Sequence, residues 1–319
     1  MRLRILFLIF LSLPVFPLLS YWEWTPETGR WINPKYAPKP TSQEQWEYAK
    51  QFYENEEYEK ALREFRKLIK YYPRSPEAPK AQFLIGEILE RMGKLWEAAQ
   101  AYQKVVENYP SNPQLEEVIQ REKRIADTLF ENPPQGIWQR TKEKLGESHW
   151  KKTAKVYQMI LKNAPYSKEA DALKFRVGEC YFKSGEFEEA FQQFKELVRE
   201  YPTSSLVDKA RFYMALSRLS QSEASPYDEE LLERAILSFK SFLDDFPQSS
   251  YREEAEKHLS ELLEKKAEKL YKIAEFYEKN LSFSSAVLYY QEICEKFPQT
   301  SWGRKAEEKL EWLKKFGFY

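Results

Sequence analysis

Two histidines, His149 and His258, and two cysteines, Cys180 and Cys294, are the only imidazole and thiol side chains in this 319-residue chain. None has a second Cys, His or carboxylate set at metal-ligand spacing, so no metal centre is expected from them. No Gly-x-Ser-x-Gly, His-Glu-x-x-His or phosphate-loop motif occurs either, and nine glycines leave little material for a phosphate cradle. The 50 acidic and 50 basic residues cancel and are interspersed, as along Glu253–Lys269. That pattern is a solvated helix face and gives no net pull toward nucleic acid. Neither an enzyme nor a cofactor is expected. Tryptophan is one residue type that could serve binding instead. Trp22, Trp24 and Trp31 surround the turn sequence Pro26-Glu27-Thr28-Gly29, and Trp138 lies in a proline-rich stretch. Such side chains either anchor a partner or pack on their own chain. The first three fit a small hairpin.

The elements that must position these residues follow from a recurrent punctuation: Tyr72-Pro73, Tyr109-Pro110, Ala164-Pro165, Tyr201-Pro202, Phe246-Pro247 and Phe297-Pro298. Eight residues before each proline stands an aromatic: Phe65, Tyr102, Tyr157, Phe194, Phe239 and Tyr290. Twelve before stands Ala61, Ala98, Thr153, Ala190, Ala235 or Ala286, and five before Leu68, Val105, Ile160, Leu197, Phe242 or Ile293. Separations of four and three place all three on one helix face. Proline ends that helix, since it lacks an N–H and pushes its predecessor out of the α region. Two residues later Ser75, Asn112, Ser167, Ser204, Ser249 or Thr300 is expected to cap the next helix. Its buried side begins eight after the proline, at Ala81, Val118, Leu173, Ala210, Ala255 and Ala306. Each unit is therefore a helical hairpin that can bury its apolar face only by stacking on neighbours.

This register resembles the tetratricopeptide repeat. Gly86 and Gly178, with Ala49 and Ala274, match that family's close-packing small residue, and Tyr58, Leu95, Trp150, Phe187, Leu232 and Phe283 its second-helix opening position. The expected fold is all-α: a solenoid of about six helical hairpins over residues 42–315, closed by a capping helix near 300–315. The charged residues Lys305, Glu307, Glu308, Lys309, Lys314 and Lys315 give that last helix a polar outer face. The proline intervals are 37, 55, 37, 45 and 51 residues. They place insertions at 131–148 and 221–228 and predict one unbroken helix over about 250–279.

Ahead of the repeats, residues 1–20 have the charged start and apolar run of a signal peptide or N-terminal anchor, and 21–41 form a Trp/Pro-rich segment. The two cysteines fall in separate repeats and are expected to be structural thiols rather than a disulfide.

The stretch Lys209-Ala210-Arg211-Phe212-Tyr213-Met214-Ala215-Leu216, then Tyr227-Asp228, Phe246-Pro247-Gln248-Ser249-Ser250-Tyr251 and Ala274-Glu275-Phe276-Tyr277, is similar to the BamD (YfiO) family. The insertion with Pro134-Gln135-Gly136 also falls where that family has one. The resemblance implies a non-catalytic scaffold at the periplasmic face of the outer membrane. Its C-terminal repeats would bind the barrel-forming core protein of the β-barrel assembly machinery, and its N-terminal ones unfolded outer-membrane proteins. Leu18-Leu19-Ser20-Tyr21 lacks that family's lipobox cysteine, so attachment is expected through partners rather than a lipid anchor. In tetratricopeptide proteins the first helix of each repeat lines a peptide groove. Carried over, this gives Gln43, Trp46, Lys50 and Tyr53, then Lys80, Phe83, Glu87 and Arg91. Lys50 and Glu87 stand where the carboxylate-clamp subset needs asparagine, which argues against chaperone-tail binding. The competing reading is a Tol-Pal-associated protein coordinating cell-wall synthesis or envelope constriction. It calls for a coiled-coil segment ahead of regular repeats, and neither heptads nor regularity is present.

Overall fold

The structure, a computed structural model, describes residues 23–25, 30–32, 37–134 and 148–318. Two compact units divide the chain, Met1–Gly93 and Lys94–Tyr319. In the first, strands β1 (Glu23–Thr25) and β2 (Arg30–Ile32) pair antiparallel, followed by helices α1 (Ser42–Glu54), α2 (Tyr58–Tyr71) and α3 (Ala78–Arg91). The second holds α4 (Leu95–Asn108), α5 (Leu115–Glu131), α6 (His149–Asn163), α7 (Ala170–Lys183), α8 (Phe187–Glu200), α9 (Val207–Ala224), α10 (Glu229–Asp245), α11 (Arg252–Lys279), α12 (Phe283–Lys296) and α13 (Ser301–Lys315). Within each unit every helix packs on the next in sequence, and in the second α4 also reaches α6 and α11 reaches α13. This is an all-α, tetratricopeptide-like array.

The repeat register accounts for the core. All six aromatics eight residues before the prolines are fully buried, as are the small residues four positions earlier. Where that aromatic is tyrosine, its hydroxyl finds a partner on a neighbouring helix. Tyr157 donates to Asp127 (2.8 Å), Tyr290 donates to Glu278 (2.8 Å), and Tyr102 accepts from Arg121 (3.2 Å). A ring thus supplies about 1.5–3 kcal/mol of burial without stranding its polar end. Gly178 shows why a small residue is needed: a Cβ there would lie 2.6 Å from the Phe194 ring. Cys180 is buried and Cys294 partly so, both free, and burial pushes the Cys180 thiol up to about 12.

The turns correct one expectation. Only Thr300 caps a helix with its side chain, accepting from the Gly303 N–H (2.9 Å). At the other five prolines the next helix starts three residues beyond the Ser or Asn. The intervening turn is closed on that residue's carbonyl, as in Val207 N–H to Ser204 O (3.2 Å) and Arg252 N–H to Ser249 O (3.2 Å). The side chains of Asn112, Ser204 and Ser249 instead accept from the N–H two residues on, each at 3.0 Å. The Ser204 and Ser249 hydroxyls then donate to Asp171 and Asp208, first-turn acids of the preceding repeats. At these two junctions the hydroxyl ties one repeat to the one before it.

Four short connections between helices use a left-handed residue seventeen positions before the proline: Glu56 (φ 59°), Gly93 (φ 71°), Gly185 (φ 81°) and Leu281 (φ 57°). In the two hairpins with insertions that position is held by Ser148 and Glu230, neither of them left-handed. Their second helices open on side-chain caps, Ser148 accepting from Lys151 (3.2 Å) and Asp228 from Leu231 (3.1 Å). The long interval before Pro298 becomes the 28-residue helix α11. An excess of 14 residues over the regular 37 is close to four helical turns, so the helix continues with its buried face nearly preserved. Ala255 near its start and Ala274 near its end are both fully buried. The polar capping face on α13 is interrupted: Lys309 is held by Glu278 on α11 (2.8 Å), and Trp312 stands exposed.

Candidate functional site

The groove candidates lie in the first unit. On α1 the Trp46 ring leans on Phe65 of α2 (centroids 5.5 Å apart), while Lys50 pairs along its own helix with Glu54 (3.2 Å). One turn on, Tyr53 reaches α3 and its hydroxyl donates to Glu87 Oε1 (2.9 Å). The same carboxylate accepts from Arg91 Nη2 (2.9 Å) and Nε (3.2 Å). The guanidinium sits over the Tyr53 ring at 5.6 Å, and Tyr58 lies 6.5 Å from Tyr53. Burial, then the bond to Glu87, raises the Tyr53 hydroxyl above its ordinary range, and the Glu87 bond does the same for Arg91. Tyr53, Glu87 and Arg91 are therefore brought together as a polar cluster that offers aromatic faces and one cation.

The remaining candidates are dispersed. Phe83 is in the core of the unit, and Lys80 is exposed. Gln43 lies on another side of α1, in a shallow depression with Lys39, Glu47, Tyr48 and Gln51. Trp24 and Trp31 are cross-strand partners in the β1–β2 hairpin, so the hairpin expectation holds in the backbone. Trp22 and Trp138 lie outside the described residues. Sequence reasoning missed Gln45. Fully buried, it accepts from the Lys39 N–H (2.8 Å) and donates to Glu64 O and Oε2 (both 3.1 Å), fastening the entering segment to α2.

Two features of the second unit were also missed. A cleft bounded by α8, α9 and α10 is lined by Phe191, Arg211, Met214, Leu237, Ser238 and Ser241. Leu237 is 56% exposed at its rim, and Arg211 pairs with Asp245. The cleft can take an apolar side chain beside a polar edge. The second is Glu122 on α5, a fully buried carboxyl. Its Oε2 accepts from Asn163 of α6 (3.2 Å), which also accepts from and donates to Gln103 of α4, while Oε1 meets no donor among the described residues. Burial first, and the nearby Glu107 charge last, raise this carboxyl to about 8 against the opposing Asn163 bond. It is neutral near pH 7. The sequence held the signal: twelve residues after the other five prolines stand Ile85, Val177, Met214, Leu259 and Leu310.

Among the described residues no cluster of three or more His, Cys, Asp or Glu could hold a metal, and no helix is long and apolar enough to cross a membrane. The arrangement offers surfaces for binding.

A family model described as YfiO, outer membrane lipoprotein, matches residues 130–315, and a tetratricopeptide repeat model matches 49–113. Similar curated proteins carry the name outer membrane protein assembly factor BamD. The Vibrio cholerae protein is 21% identical over 192 residues, covering 57% of this chain and 80% of its own length. The Neisseria meningitidis serogroup A protein is 21% identical over 184 residues, with 54% and 68% covered. The Xylella fastidiosa 9a5c protein is 19% identical over 179 residues, with 53% covered here and 61% of its own length. Among solved structures, a tetratricopeptide repeat protein of Parabacteroides merdae matches 85% of this chain and 97% of its own (15% identity, TM-score 0.30). A thermophilic one of Thermus thermophilus matches 69% and 99% (16% identity, TM-score 0.31). The YfiO match takes in more than half of the sequence, from the end of α5 through α13, and on that ground the chain belongs to the YfiO (BamD) family.

Proposed function

We propose that the protein is a non-catalytic scaffold subunit of the outer-membrane β-barrel assembly machinery, acting in the periplasm at the inner face of the outer membrane. The observation that carries this reading is the YfiO match over α6–α13, together with relatives named as assembly factors. In it, the C-terminal repeats engage the barrel-forming core protein, with the cleft beside Leu237 as the receiving surface. The N-terminal unit receives unfolded outer-membrane proteins along Trp46, Tyr53 and Arg91. Unfolded barrel strands alternate apolar and polar side chains, and aromatic faces beside a cation suit such a segment. Partners hold the protein at the membrane, and neither nucleic acid nor a cofactor takes part.

Affinity capture from envelope extracts tests this. The core barrel protein is expected to co-purify with wild type and to be lost with Leu237→Glu, which puts a charge into the cleft. Recovery of peptidoglycan synthases without the core protein would refute the reading and favour a role in cell-wall synthesis.

A further inference from the structure

The final residues, Trp312-Leu313-Lys314-Lys315-Phe316-Gly317-Phe318-Tyr319, hold four aromatics and two lysines and no acidic side chain. In a chain with balanced charge and an α13 otherwise rich in glutamate this is a local exception. Trp312, Phe316 and Phe318 remain 44%, 56% and 42% exposed. They are nevertheless positioned. Phe318 stacks on Phe283 at the start of α12 (centroids 4.1 Å), Trp312 meets Phe316 at 4.9 Å, and the Phe318 N–H donates to Leu313 O (3.0 Å). Beside Phe283 in the chain, Leu281 turns outward, 76% exposed and in a left-handed conformation that leucine rarely adopts. Lys314 and Lys315 are exposed, whereas the nearby Glu278 is engaged by Lys309.

We propose that this corner is an interfacial lipid-contact site, seating its rings at the headgroup level of an anionic bilayer surface. Two arguments select lipid over a protein partner. The exposed halves of three rings amount to roughly 300 Å², from whole-ring areas of 150–250 Å². A stable protein interface needs about 800 Å² per partner. Along α13 itself the surface turns charged at Glu307, Glu308 and Glu311, so the apolar patch does not continue up that helix. Second, tryptophan and phenylalanine flanked by lysine is the composition that partitions to a bilayer interface, where each ring inserts independently and lysine meets anionic headgroups. The proposal does not rest on the assembly role.

The test uses the full chain with Cys180→Ala and Cys294→Ala, carrying an environment-sensitive fluorophore at Phe316→Cys or, as control, at Lys305→Cys. Vesicles are phosphatidylcholine alone or mixed with phosphatidylglycerol, each with spin-labelled lipid as quencher. The label at 316 is expected to be quenched on the anionic vesicles and the label at 305 to remain in water. The local readout separates this contact from any attachment through the N-terminal segment. Lys314→Gln with Lys315→Gln should weaken the preference for anionic vesicles roughly thirtyfold, at about fivefold per lysine. Trp312→Ser with Phe318→Ser should abolish quenching. Equal, weak quenching at both positions would overturn the proposal. So would shielding of the 316 label by raised protein concentration without vesicles, which would mean that a second copy covers the patch.

Discussion

Replacing Glu122 by glutamine keeps the shape and the acceptor for Asn163 but removes the titration. In the fold this carboxyl stays protonated to about pH 8, against an ordinary value of 4.5. In the unfolded chain it ionises at the ordinary value. Between the two, only the folded state holds the proton, so unfolding releases one and stability falls as pH rises. The slope is about 1.4 kcal/mol per pH unit, and the full loss is on the order of 3–5 kcal/mol. Below the lower value and above the upper one the contribution is flat. The groups facing the site from the packed elements are Glu107 on α4, itself near Lys162 of α6 (4.0 Å), and the amides of Gln103 and Asn163. None of these removes the penalty. Urea unfolding followed by circular dichroism at about pH 5.5 and 7.5 measures it. Wild type should lose roughly 2.7 kcal/mol more than Glu122→Gln between those conditions. Glu122→Leu, which restores the apolar register residue, should behave like the glutamine variant in its pH dependence. Parallel pH profiles for wild type and Glu122→Gln would show that the carboxyl is already ionised in the fold, and the reasoning would fail.

Gly178→Ala drives a methyl into the Phe194 ring, 2.6 Å from the new Cβ, and should cost about 1–3 kcal/mol by thermal or urea unfolding. Leu281→Gly relieves a left-handed leucine at an exposed turn and should raise stability by about 0.5–1 kcal/mol, read as a higher urea midpoint. Asp228→Ala removes the side-chain cap from α10 and should cost about 1 kcal/mol, whereas Ser204→Ala should leave helix start sites unchanged and loosen contact with Asp171, seen as faster amide exchange in the first turn of α7.

Most of the array was legible because proline, alanine and aromatic act at fixed offsets through local backbone geometry and side-chain volume. The long last interval located α11, expected over about 250–279 and observed at Arg252–Lys279, and the capping helix expected near 300–315 is Ser301–Lys315. The hydroxyl position was misread because Ser and Asn side chains accept from a backbone N–H just ahead of them both in helix caps and in turns. Which one occurs depends on whether two residues of turn intervene, as they do after Ser204 and do not after Thr300. The candidate groove was only partly legible. Tyr53, Glu87 and Arg91 meet through an approach of α1 to α3 that no local pattern encodes. Glu122, by contrast, was visible as a carboxylate in a register otherwise filled by Ile, Val, Met and Leu.

The continuity of α11 carries a consequence for how the second unit comes apart. A single buried cluster runs from Phe212 to Leu313, joining side chains of α9 through α13, whereas Phe175, Ala190, Phe194, Leu197, Ala210 and Met214 form a smaller one before it. Because one helix serves α10 at its start and α12 and α13 at its end, no hairpin in this stretch can open without exposing core that the others share. Repeat arrays ordinarily fray hairpin by hairpin. Here the last five helices should protect their amides as one block, with a common opening free energy, while hairpins nearer α4 exchange separately and sooner.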